Sequence, residues 1–69
     1  MKNAVIIGAG THGQIYASYL RDANVNVVGF IDDADCFQGK QVIGLDVLGK
    51  YSDLFEKKLK DKITDVYCP

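Results

Sequence analysis

Apolar positions along the chain form strand-like runs joined by one stripe of helical period. Residues 4–7 are apolar without polar alternation, which is typical of a strand buried on both faces. Residues 25–31 are rich in β-branched and aromatic side chains and predict a second strand. Between them an apolar stripe recurs at helical spacing, over Ile15, Tyr16, Tyr19, Leu20 and Ala23. Strand, helix and strand in this order predict a parallel pair with a right-handed crossover.

Polar residues at the ends of the helical stripe predict how that helix begins and stops. Thr11 and Gln14 have the spacing of a capping box, in which the Thr11 hydroxyl accepts from a free amide and Gln14 reaches back. The helix is expected to run to about Ala23. Asn24 follows as a residue that tolerates the left-handed conformation that stops helices.

The second half of the chain has a weaker pattern. Residues 40–49 mix apolar pairs with glycines and predict short extended pieces and turns rather than a helix. Ser52 or Asp53 can cap a second helix that ends near Lys62. Its inward side chains are expected to be Leu54, Phe55 and Leu59. Residues 64–68 predict a third strand.

These elements predict an α/β fold of three layers, with a parallel sheet in the order 2-1-3 and one helix on each face. The first strand lies in the centre because its run lacks alternation. Residues 39–49 supply a short extended edge piece beside the second strand. In this arrangement residues near Val66 pair with residues near Ile6.

Three glycines follow the first strand directly, at Gly8, Gly10 and Gly13. In this position the first permits a tight turn, the second lets the backbone approach a phosphate, and the third lets the helix pack closely. Thr11 and His12 lie between them, in the first helical turn. Free amides and the helix dipole favour an anion there, so the loop predicts a phosphorylated ligand. His12 can donate to such a phosphate.

Two carboxylates, Asp32 and Asp33, end the second strand, the first of them 22 residues after Gly10. An acidic residue at this distance usually binds a ribose hydroxyl. One of the pair is expected to face the nucleoside while the other caps the loop; a plain polar strand end is the alternative. No residue set with the spacing of a catalytic or metal-binding site is apparent, so we predict a binding domain without catalytic residues of its own.

Composition narrows the class of protein. The 69 residues include eight basic and nine acidic side chains, which gives no electrostatic footprint for nucleic acid or an anionic membrane. The lysines between residues 57 and 62 alternate with other types and indicate a solvated helix face. Cys36 and Cys68 match no metal spacing and are read as free thiols in a reducing compartment. No run approaches the roughly 20 apolar residues of a membrane span. We expect a cytoplasmic protein.

Three stretches together resemble a known family. They are residues 4–13, residues 27–33, and the glycine-bounded segment from Gly39 to Gly49. This combination resembles the amino-terminal domain of bacterial sugar acetyltransferases, the sialic acid O-acetyltransferase and bacillosamine N-acetyltransferase family of polysaccharide biosynthesis. The chain departs from the family pattern at Thr11, usually glycine or serine, at Asp46, often proline, and at the end of the last strand.

The resemblance implies a Rossmann-like domain, residues 1–69, that binds a nucleotide sugar such as a UDP-sugar. Residues 8–13 would lie against the diphosphate, and Asp32 with Asp33 would contact the nucleoside. In the intact protein a left-handed parallel β-helix would follow, bind acetyl-CoA, carry the catalytic histidine and assemble a homotrimer.

Two alternatives stay open. The same glycines would serve an NAD- or CoA-binding module of a regulatory protein, or of a polysaccharide-biosynthesis sugar dehydratase. A purely structural docking module would bind no ligand at all.

Overall fold

A computed structural model describes residues 2–55 and 61–68 of the chain. Five strands and one α-helix lie within these residues: β1 (Asn3–Ile7), α1 (Thr11–Asp22), β2 (Asn26–Ile31), β3 (Gln41–Val42), β4 (Leu45–Gly49) and β5 (Asp65–Tyr67). Two short 3-10 helices lie between strands, the first over Asp35–Phe37 and the second over Tyr51–Phe55. Across the two described ranges, no helix has the length and apolar character needed to cross a membrane.

All five strands form one sheet in the order β3-β4-β2-β1-β5. The adjacent strands β4, β2, β1 and β5 are parallel to one another. Strand β3 pairs with β4 in the antiparallel direction. The register pairs Val5 with Val66 and Ile6 with Phe30. The carboxyl ends of β1, β2, β4 and β5 therefore meet at one edge of the sheet, beside the glycine loop.

The α/β class is confirmed, and so is the pairing of residues near Val66 with the first strand. The predicted parallel three-stranded sheet is not confirmed as a whole, because the sheet is mixed and has five strands; within it, β2, β1 and β5 are adjacent and parallel. The segment expected to give one edge piece folds instead as a hairpin, β3-β4. Ile43 and Gly44 connect its strands, with φ of 45° and 79°. Two successive positive φ angles are typical of a type I′ hairpin turn.

Helix α1 ends where the sequence predicts but begins differently. Asn24 has a φ of 61°, the left-handed stop that was expected. The predicted capping box is wrong, because Gly10 occupies the N-cap and no side chain caps it. The Gln14 side chain does reach back, but its Nε2 donates to the Ala9 carbonyl oxygen at 3.1 Å. The start of α1 therefore leaves its first amides without a side-chain acceptor.

The second predicted helix is only partly within the described residues. Its beginning is the 3-10 helix Tyr51–Phe55, and its predicted continuation over 56–60, with Leu59, lies outside them. The predicted start at Ser52 or Asp53 is wrong, because the helix begins at Tyr51; Asp53 lies inside it, and its Oδ2 accepts from the Lys50 amide at 2.8 Å. Helix α1 is the one α-helix of the described residues, so the expected helix on each face is not observed there.

The core lies between α1 and the sheet. Its fully or largely buried apolar side chains come from four of the elements and the glycine loop: Ala4, Ile6, Ala9, Ala17, Leu20, Val27, Phe30 and Val47. The predicted apolar stripe of α1 is wider than its buried face, because Ile15 and Tyr19 are 50% and 66% exposed. Small residues instead form the contact, with Gly13 and Ala17 buried. The helix thus approaches the sheet closely beside the glycine loop.

Candidate functional site

The three glycines of the loop have three different surroundings. Gly8 has a φ of 100°, and its amide donates to the Ile31 carbonyl at 2.7 Å, so the turn begins while the chain still pairs with β2. A Cβ at Gly13 would collide with the Gly8 carbonyl oxygen. A Cβ at Gly10 would meet no atom within 4 Å. The fold therefore requires glycine at Gly8 and Gly13. At Gly10 it does not, and the open space beside this residue has room for a side chain or a ligand.

The first turn of α1 presents free donors above this loop. Gln14 is the first residue whose amide finds a helical acceptor, the Gly10 carbonyl at 3.0 Å. The amides before it have no intrahelical partner by geometry, and no side chain caps them. Thr11 and His12 are exposed beside them. The helix dipole adds positive potential at this end, so the loop can accept an anion.

Asp32 is tied to the glycine loop. Its Oδ2 accepts from the Ala9 amide and its Oδ1 from the Ala34 amide, each at 2.9 Å. Its own amide donates to the Gly49 carbonyl oxygen at 3.0 Å, and its carbonyl accepts from the Gln38 side chain. Each polar group of this residue thus has a partner within the chain.

Asp33 points to a different neighbour. Its Oδ1 accepts from the Tyr51 amide at 2.7 Å, which joins the end of β2 to the residues after β4. Asp33 is exposed, and the Tyr51 side chain is 46% exposed beside it. This hydrogen bond therefore ties the residue with the exposed carboxylate to the residue with the exposed aromatic side chain, at the carboxyl edge of the sheet.

Lys50 supplies the positive charge of this edge. Its Nζ lies 2.8 Å from Asp35 Oδ1, and both side chains are well exposed. The hydrogen bond and charge of Lys50 hold the pKa of Asp35 below its ordinary value. Asp35 in turn raises the pKa of Lys50, and the charges of Asp33 and Asp53 add to that rise. Lys50 is thus paired directly with Asp35 and is further stabilised in its charged form by the negative charges of Asp33 and Asp53.

The structure brings the predicted residues into one region. Gly8, Gly10, Thr11, His12 and Gly13 follow β1, and Asp32 and Asp33 follow the neighbouring strand β2. The hydrogen bond from Ala9 to Asp32 joins the two groups directly. Their proposed contacts with phosphate and nucleoside remain predictions.

Sequence reasoning missed the third contributor, the segment after β4. Gly49, Lys50 and Tyr51 lie against the Asp32–Asp33 strand end, because β4 pairs with β2 in parallel. The glycine-bounded stretch 44–49 was a visible signal. It indicated a short extended edge piece beside β2, where β4 does lie, but no contribution of the residues after that piece to the site was expected.

Comparison with known protein families gives a match. The family model described as the PglD N-terminal domain matches residues 3–68, nearly the whole chain. Neither the curated proteins nor the solved structures contain a match. The matched range covers both the glycine loop and the carboxylate pair. The chain therefore belongs to the PglD N-terminal domain family, the amino-terminal domains of acetyltransferases of the bacillosamine type.

Proposed function

We propose that this domain binds the nucleoside diphosphate sugar that a sugar acetyltransferase modifies. The observation that carries the proposal is the junction of two features at the carboxyl edge. A helix start with free amides follows β1, and two adjacent carboxylates follow β2, of which Asp32 is held to the glycine loop. A nucleoside diphosphate carries the two groups that these features recognise, an anionic diphosphate and a hydroxyl-bearing ribose.

The diphosphate lies over Gly10 in this proposal. The space beside Gly10 allows the backbone to come within hydrogen-bond distance of phosphate oxygens. The amides of the first turn of α1 donate to those oxygens, and the exposed Thr11 and His12 side chains are close enough in sequence to add donors. Binding here needs no lysine or arginine in the loop, since backbone amides and the helix dipole supply the positive potential.

The nucleoside lies on the side of Asp33 and Tyr51. Asp33 Oδ1 is occupied by the Tyr51 amide, which leaves Oδ2 as an acceptor for a ribose hydroxyl or a base N–H. The exposed Tyr51 side chain offers an aromatic surface next to it. Asp32 lies closer to the glycine loop, at the join between the nucleoside and the diphosphate.

The strand order supports a ligand at this edge. The parallel strands β4-β2-β1-β5 show that the chain moves outward from β1 and then returns to its other side. Such a reversal opens a crevice at the carboxyl ends of the strands, where doubly wound sheets bind nucleotides. The glycine loop lies at the carboxyl end of β1, next to that reversal.

The rest of the reaction is assigned to other parts of a cytoplasmic bacterial enzyme. In this proposal acetyl-CoA, the catalytic histidine and the contacts of a homotrimer belong to a β-helix domain outside these 69 residues. Acyl transfer to a hydroxyl or amine of the sugar takes place there. The role of the present residues is to hold the nucleotide and orient its sugar.

Calorimetric titration of the 69-residue chain tests the proposal. The titrants are UDP-N-acetylglucosamine, UDP, NAD and CoA. Binding of the nucleotide sugar and of UDP is expected. Binding of NAD or CoA with no response to either uridine nucleotide would favour the alternative modules, and no binding of any titrant would favour a docking role.

Gly10→Val provides the matched control. A side chain at Gly10 meets open space and its φ of −77° is ordinary, so the variant is expected to fold. The valine side chain would occupy the place of the diphosphate and abolish binding. Circular dichroism confirms the fold, and calorimetry with UDP that matches wild type would show that the diphosphate lies elsewhere.

A further inference from the structure

We propose that Asp32 is a positioning residue, which sets the shape of the glycine loop, and that Asp33 alone of the pair contacts the ligand. This assignment rests on the proposed function. Asp32 and Asp33 are adjacent carboxylates at one strand end and look equivalent in the sequence. Their hydrogen bonds differ in a way that assigns them separate tasks.

The Asp32 carboxylate continues the pairing of β1 and β2 beyond their last backbone contact. The Gly8 amide donates to the Ile31 carbonyl, the last backbone bond recorded between the two segments in the described residues. The next amide, that of Ala9, donates to the Asp32 side chain instead. Ala9 is fully buried, so water cannot replace this acceptor easily. The direction in which the chain enters Gly10 is therefore fixed by Asp32.

Only a carboxylate satisfies both amides around Asp32. Ala9 donates to one oxygen and Ala34 donates to the other. An asparagine has one oxygen acceptor, and its NH₂ group would face one of the two N–H donors. Asp32→Asn must therefore lose one of the two bonds and the charge assistance of the other, so the Ala9 bond is lost or weakened in either orientation although the size of the side chain hardly changes.

The consequence for binding differs between the two residues. Loss of the Ala9 bond disorders the amides that donate to the diphosphate, so it weakens the binding of any ligand that carries a diphosphate. Loss of the Asp33 charge affects only ligands that also carry a nucleoside. Inorganic pyrophosphate and UDP separate these two cases.

The experiment compares Asp32→Asn with Asp33→Asn in the 69-residue chain. Titrations followed by the amide signals of residues 9–13 give the affinities for pyrophosphate and for UDP. Asp32→Asn is expected to weaken both probes by the same factor, about tenfold or more, the effect of a lost charge-assisted hydrogen bond. Asp33→Asn is expected to weaken UDP and leave pyrophosphate unchanged. A selective loss of UDP in Asp32→Asn would overturn the assignment.

Ala34→Pro is the control for the second amide. Ala34 has a φ of −67°, which proline adopts, and the substitution removes the donor to Asp32 Oδ1 while the Ala9 donor stays. Pyrophosphate binding is expected to stay within about twofold of wild type, because the bond that orders the loop is the one from Ala9. A loss as large as that of Asp32→Asn would show that the loop does not depend specifically on the Ala9 bond.

A measurement on the unaltered chain keeps the test valid if Asp32→Asn does not fold. The carboxyl carbon signals of Asp32 and Asp33 are recorded with saturating pyrophosphate and then with saturating UDP. Only the Asp33 signal is expected to differ between the two. A shift at Asp32 between the probes would make it a ligand contact. If UDP does not bind the wild-type chain, the proposed function fails together with this assignment. If UDP binds wild type and binds Asp32→Asn with the same affinity, only the positioning role of Asp32 is overturned.

Discussion

Two regions of the molecule are held in place by different forces. From β1 to β2, residues 3–31, nine of the ten buried apolar side chains form the core, several of them fully buried. From Asp32 to the second 3-10 helix, Val47 is the buried apolar side chain among the described residues. There the chain is held by aspartate carboxylates that accept hydrogen bonds from backbone amides. The donor amides are those of Ala9, Ala34, Lys50 and Tyr51.

This difference teaches how the site is built. Burial of apolar surface is strong but not directional, so it fixes the scaffold as a whole. Hydrogen bonds to carboxylates contribute less each but set the direction of individual backbone groups. The first region carries the stability of the domain, and the second places the groups at the edge of the site.

The largest effect is expected in the apolar region. Phe30→Ala removes a fully buried ring from the core and should cost about 3–5 kcal/mol of unfolding free energy. A domain of fewer than about 80 residues rarely has more than about 3–5 kcal/mol in total. Thermal denaturation followed by circular dichroism should therefore show a largely unfolded protein at 25 °C. A melting temperature near that of wild type would contradict the assignment of the core.

Next comes Gly13→Ala, at the contact between α1 and the glycine loop. Its Cβ meets the Gly8 carbonyl, which is backbone and cannot turn away, and the expected cost is about 1–3 kcal/mol. Gly10→Ala is the control, since its Cβ meets nothing and alanine is only a poorer N-cap by about 0.5 kcal/mol. Urea denaturation compares the two; equal losses would show that the close approach at Gly13 is not limiting.

A smaller effect is expected where carboxylates hold the chain. Asp53→Ala removes the acceptor of the Lys50 amide and should cost about 0.5–2 kcal/mol, the range of helix caps. Ser52→Ala, one residue earlier and exposed, should cost little. Urea denaturation of both variants measures the difference. A larger loss in Ser52→Ala would mean that the serine, not the aspartate, stabilises the start of this helix.

The smallest effect concerns the exposed pair of Asp35 and Lys50. Because the pKa of Asp35 is lowered, its contribution is present above the ordinary value of 3.8 and is lost as pH falls through the lowered pKa. Because the pKa of Lys50 is raised, its contribution is present below 10.5 and is lost as pH rises through the raised pKa. The melting temperature of Lys50→Met should fall slightly below wild type only between these limits, and at low salt.

Lys40→Met, at another exposed lysine, serves as the reference for this comparison. A difference between Lys50→Met and wild type that persists at pH 2 would show that lost packing, rather than lost charge, causes the change.

The sequence predicted well what short-range patterns determine. The uninterrupted apolar run of β1 and the pattern after it were sufficient to predict the strand, the glycine loop and the helix that follows, although not how that helix is capped. Pairing of residues near Val66 with β1 followed from the need to bury that run on both faces. The position of Asp32 and Asp33 at the end of β2, beside the glycine loop, also followed from the sequence, but the separate partners of the two carboxylates did not, and their contacts with a ligand stay predictions.

What the sequence did not predict depends on tertiary contacts. The hairpin β3-β4 was missed because its turn uses Ile43 at a positive φ, where asparagine, aspartate or glycine would have given the usual signal. The capping box at Thr11 failed because Gly10 already occupies the N-cap and the Gln14 amide group finds the Ala9 carbonyl. The role of Tyr51 could not be seen, since it depends on the parallel pairing of β4 with β2.

The position of the hairpin turn has a practical consequence for experiments. Because β4 runs parallel to β2, the turn at Ile43 and Gly44 lies towards the amino ends of the strands, away from the glycine loop. Ile43 is 43% exposed there. A fluorophore, a surface linker or an inserted peptide tag attached at this turn would therefore leave the carboxyl edge unobstructed for ligand titrations.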